Sequence, residues 1–185
     1  LDRLLQYLEL LVKWNSAYNL TSVREPQQML YRHLMDSLSI VPWIKGQTIA
    51  DVGTGPGLPG IPLAIMFPET RFTLLDSNGK KTRFLTQCDI ELKLENILVE
   101  NRRVETFDPL QKFDQIVSRA FSTLVNMTGY CEHLLVKNGQ FLAMKGPYIR
   151  QEIEELPSHI KVNSIHGLQV PKSEGERNLV ILDII

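Results

Sequence analysis

A chain of 185 residues, 43% hydrophobic and 22% charged, has the length and composition to bury its own core, which excludes disordered and fibrous classes. Its formal net charge of −1 gives no global attraction to nucleic acid, so any RNA contact must run through a local patch. Pro, Gly or charge interrupts every apolar stretch well short of the roughly 20 residues that a membrane helix needs, and no signal-peptide pattern is present.

The opening "LDRLLQYLELLVKW" puts Leu1, Leu4, Leu5, Leu8, Leu11 and Val12 on one face at helical spacing. "NSAYNLTSV" reads as a polar loop, and Pro26 opens a second helix to about Val41, with Met29, Leu30, Leu34 and Leu38 facing inward. Pro42 ends it. Strand and helix then alternate: "TIADV", a glycine loop with a helix to Phe67-Pro68, "RFTLLD", the helix "GKKTRFLTQCDIEL", and the strands "NILVE" and "FDQIVSRA". The helix "LVNMTGYCEHLL", the strand "GQFLAMKG" and a short helix around "IRQEIEEL" follow. "HIKVNSIHGLQV" and "RNLVILDII", joined by the turn-rich "PKSEGE", read as an antiparallel pair. Such repeats specify a mostly parallel α/β sheet with ligands at the carboxyl ends of its strands. Residues 1–45 read as a helical extension on a Rossmann-like core of residues 46–185, the whole forming one domain.

The loop "DVGTGPGLPGIP" carries Gly53, Gly55 and Gly57 at alternate positions, where backbone comes close to a ligand. Three ligands suit a strand–glycine loop–helix unit. A nucleoside triphosphate loop needs a lysine for its phosphates, and none occurs between Lys45 and Lys80. Gly55, Gly57 and Gly60 match the dinucleotide pattern G-x-G-x-x-G, with Asp76 about 20 residues on. Pyrophosphate, however, is bound by backbone N–H donors, which Pro56, Pro59 and Pro62 lack. S-adenosylmethionine has no phosphate; it needs close backbone approach and acceptors for ribose hydroxyls. The acidic Asp51, the loop and Asp76 at the end of the second strand meet both needs.

"DVGTGPGLPGIPL", with "RHLMDS" before it and "LLDS…KK", "SRAF" and "MKG" after it, resembles the RsmG/GidB family of small-subunit ribosomal RNA methyltransferases. The resemblance runs from about "WNSAYNLTSV" to "GERNLVIL". It implies a class I S-adenosylmethionine-dependent methyltransferase fold: a seven-stranded, mostly parallel sheet with an antiparallel last strand, and an N-terminal helical extension. It also implies methylation of N7 of a guanine in 16S rRNA. Among site residues it implies cofactor contacts at Gly53, Leu58, Val104, Glu105 and Arg119, while Asp76 as the ribose partner comes from its strand-end position.

Attack by guanine N7 needs no general base, because its lone pair is already free. The chain fits that chemistry: it lacks the Asn/Asp-Pro-Pro-Tyr/Phe motif of amino-group enzymes, and neither Cys88 nor Cys131 follows proline as in carbon-5 pyrimidine enzymes. No residue is therefore expected to act as a catalytic acid or base. Arg119 and Lys145 end neighbouring strands and suit the acceptors O6 and N7 of guanine, or a phosphate. His33 and Asp36 lie three apart on one helix face, positioned for a mutual hydrogen bond or, as the resemblance suggests, for the site entrance. Lys80, Lys81, Arg83, Arg102 and Arg103, with Arg24, Arg32 and Arg150, form a candidate phosphate-binding rim or an ordinary solvated face.

The rival readings are a methyltransferase acting on a small molecule or protein, a dinucleotide oxidoreductase, and an RNA-binding module without cofactor. No lid or insertion supports the first. No metal-ligand spacing is present, the two cysteines read as buried thiols in a reducing cytoplasm, and nothing suggests an obligate dimer. The chain begins at Leu1 rather than Met, which leaves room for native residues upstream.

Overall fold

A computed structural model describes residues 1–173 and 175–185; of the turn-rich "PKSEGE", Glu174 lies outside the described residues. Seven strands form one sheet in the order β3-β2-β1-β4-β5-β7-β6. These are β1 (Thr48–Val52), β2 (Arg71–Leu75), β3 (Ile97–Glu100), β4 (Phe113–Arg119), β5 (Leu135–Lys145), β6 (Ile160–Gly167) and β7 (Asn178–Ile184). The first five run parallel, and β7 is antiparallel to both β5 and β6. The order reverses between β1 and β4, and in open α/β sheets such a switch point opens a crevice for ligands.

Both faces of the sheet are buried, so its central strands alternate apolar side chains between two cores. On one side Ile49, Phe72, Leu74 and Val117 pack with α1 (Asp2–Tyr18), α4 (Gly60–Met66) and α5 (Gly79–Leu92). On the other, Ala50, Val52, Ile116 and Phe141 pack with α6 (Leu124–Cys131) and α7 (Ile149–Glu154). Helix α5 spans the whole of "GKKTRFLTQCDIEL", and the Asn78 side chain caps it by accepting from the Lys80 N–H.

The N-terminal helices depart from the sequence expectation in two places. First, α1 continues through Asn15 to Tyr18, into the expected loop. Buried Asn15 explains this: its amide donates to the Val23 carbonyl at 3.0 Å and its oxygen accepts the Thr21 N–H at 2.8 Å, so the loop that follows folds back and holds the last turn. Second, the following helix is not regular. It starts as α2 (Pro26–Met29), widens into a π-helical stretch at Leu30–Met35 and resumes as α3 (Asp36–Leu38). Such wide turns are rare and concentrate at functional sites.

Candidate active site

The glycine loop follows β1 at the switch point. Gly53 and Gly55 have φ of +65° and +61°, a left-handed backbone that costs an L side chain about 1–2 kcal/mol. A Cβ on Gly53 would meet the Phe121 ring at 2.3 Å, whereas above Gly55 the nearest atom, Lys81 Nζ, is 3.9 Å away. Gly53 is thus fixed by packing, whereas Gly55 is buried with Lys81 Nζ and the Gly53 carbonyl at ordinary contact distances from its Cβ position.

Two carboxylates brace this loop. Asp51 is fully buried; its Oδ2 accepts the Thr54 hydroxyl at 2.6 Å and the Gly60 N–H at 2.7 Å. Its other oxygen, Oδ1, is buried without a partner among the described residues. Burial pushes the Asp51 carboxyl up to about 6, against the opposing hydrogen bonds from Thr54 and Gly60. Asp76, at the end of β2, accepts the Gly55 N–H at 2.9 Å and the Asn78 N–H at 2.8 Å. Lys81 Nζ stands 3.7 Å from the same carboxylate.

Around these groups lies a cavity of about 340 Å3 lined by Gly53, Asp76, Lys81, Val104, Glu105 and Phe121, among others. Arg102 and Arg103 lie in its wall, while Lys80 is on the outer surface. Leu58 is buried under the loop in the core and Gly57 packs over Ile61 and Leu85, so neither faces the cavity.

A second cavity of about 300 Å3 opens beyond it, lined by Asp36, Arg119, Ala120, Lys145, Glu176 and Arg177, among others. Ala120 lines both. Its φ of +52° is uncommon outside glycine, and such backbone strain is held where packing over-determines it, often at functional sites. The sequence carries no signal for this residue, since alanine is not among the types, such as Gly, Asn and Asp, that mark a left-handed turn.

The cations of the second cavity are neutralised from within. Asp36 takes Arg119 on one oxygen and Arg177 on the other, each at 2.9 Å. Arg119 also donates to the Arg32 carbonyl at 2.9 Å, from the π-helical stretch. Lys145 Nζ lies 2.7 Å from Glu152 and donates to the Ser122 carbonyl. The Asp36–Arg119 pair spans chain positions 83 apart, and Arg177 was not among the residues singled out by sequence. His33 does not pair with Asp36. Its Nδ1 donates to the Arg32 carbonyl at 3.0 Å, which leaves Nε2 to accept the Thr21 hydroxyl at 2.8 Å. Burial and the nearby Arg119 charge lower its pKa to about 4, so this histidine is neutral at physiological pH.

The arrangement is therefore one closely braced cavity with acidic acceptors, joined at Ala120 to an open one headed by arginine. The family model described as rRNA small subunit methyltransferase G (GidB) matches residues 1–180. The chain belongs to the GidB family. GidB relatives named ribosomal RNA small subunit methyltransferase G are 53% identical in Photobacterium profundum and 56% identical in Marinobacter nauticus. Each alignment covers 98% of this chain, and 88% and 85% of the respective relatives.

Solved structures extend the likeness of this GidB chain to the wider fold. Magnesium protoporphyrin IX methyltransferase from Synechocystis, solved with bound S-adenosylmethionine, aligns with a TM-score of 0.68 at 14% identity over 100% of this chain and 98% of that one. An S-adenosylmethionine-dependent methyltransferase from Aquifex aeolicus aligns at 0.63 and 18% identity, over 85% and 93%. The fold is that of the class I methyltransferases, as the family resemblance implies.

The chain's own residues fit S-adenosylmethionine. Gly53 lines the cavity with bare backbone, Asp76 retains a lone pair on each oxygen, and the orphaned Asp51 Oδ1 is a buried acceptor beneath the loop. Among the described residues no helix is long and apolar enough to cross a membrane.

Proposed function

We propose that the protein methylates N7 of a guanine in 16S ribosomal RNA, using S-adenosylmethionine. Family membership supports the substrate class, and the observation that carries the geometry is the meeting of the two cavities at Ala120. A methyl donor in the first cavity would adjoin an acceptor base in the second.

In this reading Gly53 and Gly55 admit the methionine portion of the cofactor, with Gly57 and Leu58 fixing the loop from below. Asp76 accepts ribose hydroxyls, and Val104 and Glu105 flank the adenine. Bound there, S-adenosylmethionine supplies an activated methyl group. The protein's remaining task is orientation, since effective molarity alone is worth roughly 7–11 kcal/mol of barrier in well-aligned cases. Arg119 suits it. The contacts to Asp36 and the Arg32 carbonyl both use Nη1 and Nη2 stands 3.5 Å from His33 Nδ1, which leaves the Nε donor for guanine O6. Lys145 keeps one of its three protons after Glu152 and Ser122. Lys80, Lys81 and Arg102 form the rim that meets the RNA backbone.

The rRNA substrate supports action in the cytoplasm. The test is transfer of labelled methyl from S-adenosylmethionine to small ribosomal subunits from cells lacking this protein. Incorporation into the RNA supports the proposal; a bound cofactor with no incorporation into subunits or their free RNA overturns it.

A further inference from the structure

A third cavity, of about 180 Å3, lies between the π-helical segment and the β6–β7 connection and is lined by Gln27, Gln28, Tyr31, Arg32 and Lys172. It is smaller than the roughly 300–1,000 Å3 of clefts for drug-sized ligands, so it suits one nucleotide fragment rather than a whole cofactor. Its chemistry is specific to that use. Lys172 Nζ sits 5.4 Å from the centroid of the Tyr31 ring, so that ring already serves as a platform for a planar or cationic partner. Arg32 and Lys172 are exposed, and among the described residues neither is paired with a carboxylate. Arg119, Arg177 and Lys145 in the neighbouring cavity all are. Two cations without acidic partners beside an aromatic ring and two amides match a phosphate, a base face and a base edge.

The two cavities share their walls. Arg32 turns its side chain to the third cavity while its carbonyl accepts from Arg119 in the second. The β6–β7 connection likewise gives Lys172 to one and Leu168, Glu176 and Arg177 to the other. An RNA strand with its target base in the second cavity would pass a neighbouring nucleotide over the third.

Resting on the proposed rRNA substrate, we infer that this cavity is a second RNA subsite, seating one nucleotide that flanks the target guanine. Its phosphate lies on Arg32 and Lys172, and its base displaces the Lys172 ammonium to stack on Tyr31. Neither residue touches the cofactor cavity, so the subsite acts on RNA binding and leaves the cofactor alone.

The experiment compares wild type with Tyr31→Ala, Tyr31→Phe and Lys172→Gln, using unmodified small subunits and S-adenosylmethionine. Tyr31→Ala should raise KM for subunits about tenfold, with Tyr31→Phe restoring it, because stacking needs the ring and not the hydroxyl. Lys172→Gln should reduce the slope of log affinity against log salt by about 0.7, the loss of one phosphate contact on a single strand. Cofactor affinity should hold throughout. Wild-type KM and salt slope in both Tyr31→Ala and Lys172→Gln would overturn the subsite. Subunit affinity is measured by filter binding alongside. If wild type transfers no methyl, the substrate reading fails, while the binding comparison still decides the subsite.

Discussion

Gly55 and Gly53 share a left-handed backbone but differ in what stands above them, and that difference separates their expected phenotypes. A Gly55→Val Cβ would meet only the end of the flexible Lys81 side chain and the Gly53 carbonyl, at ordinary contact distances, so the fold should survive at a backbone cost of about 1–2 kcal/mol while S-adenosylmethionine binding, read by calorimetry, is lost. Gly53→Ala drives a methyl into Phe121 and should lower the melting temperature as well as affinity. His33 gives a pH signature. Its folded pKa of about 4 lies below the 6.5 of an ordinary imidazole, so its contribution is complete above 6.5 and falls away as pH drops from there towards 4. At 1.36 kcal/mol per pKa unit, that loss is on the order of 3 kcal/mol. Denaturant titrations should show His33→Gln with a flatter stability profile than wild type across that window. Asp51 works in the opposite sense: with its carboxyl raised to about 6, its contribution is present at low pH and is lost as pH rises through about 6. Overlaid profiles for His33→Gln and wild type would contradict the neutral, buried histidine.

At the scale of elements, α1 is a strut for the glycine loop. Tyr7 is fully buried, and its hydroxyl donates to the Pro56 carbonyl at 2.9 Å, 49 positions away. Tyr7→Phe keeps the ring contact with Phe84 and removes that bond, so it should cost about 1 kcal/mol of stability and weaken cofactor binding more than subunit binding. The first turn of α5 supplies adjacent lysines with different surroundings, Lys81 in the cofactor cavity and Lys80 outside it. Lys80→Glu should therefore weaken subunit binding at moderate salt, in a filter-binding assay, while cofactor affinity stays at the wild-type value. Local pattern made such elements readable: α5 coincides with its sequence segment because amphipathic spacing and the Asn78 cap act within a few residues. The end of α1 and the widened turn at Leu30–Met35 escaped, because Asn15 is held by the Val23 carbonyl and Thr21 N–H of the loop folding back on it, and no residue type marks a π-helical turn.

Across the whole molecule, the parallel sheet, its antiparallel last strand and the cofactor loop were legible because each is written in hydrophobic period and glycine spacing. The second cavity was only half legible. Asp36, Arg119 and Lys145 were found one by one, but the Arg119–Asp36–Arg177 cluster joins a helix, a strand end and the β6–β7 connection, and only the folded chain brings them together. Ala120, where the cavities meet, is set apart by its backbone alone. The proposed acceptor atom is N7 of a guanine, a nucleophile that needs no base from the protein. Small subunits methylated in vitro by this protein can be treated with borohydride and then aniline, which cleaves RNA at 7-methylguanine. Cleavage at a single guanine, dependent on enzyme and S-adenosylmethionine, is expected; methylated RNA that resists cleavage would rule out N7 as the acceptor.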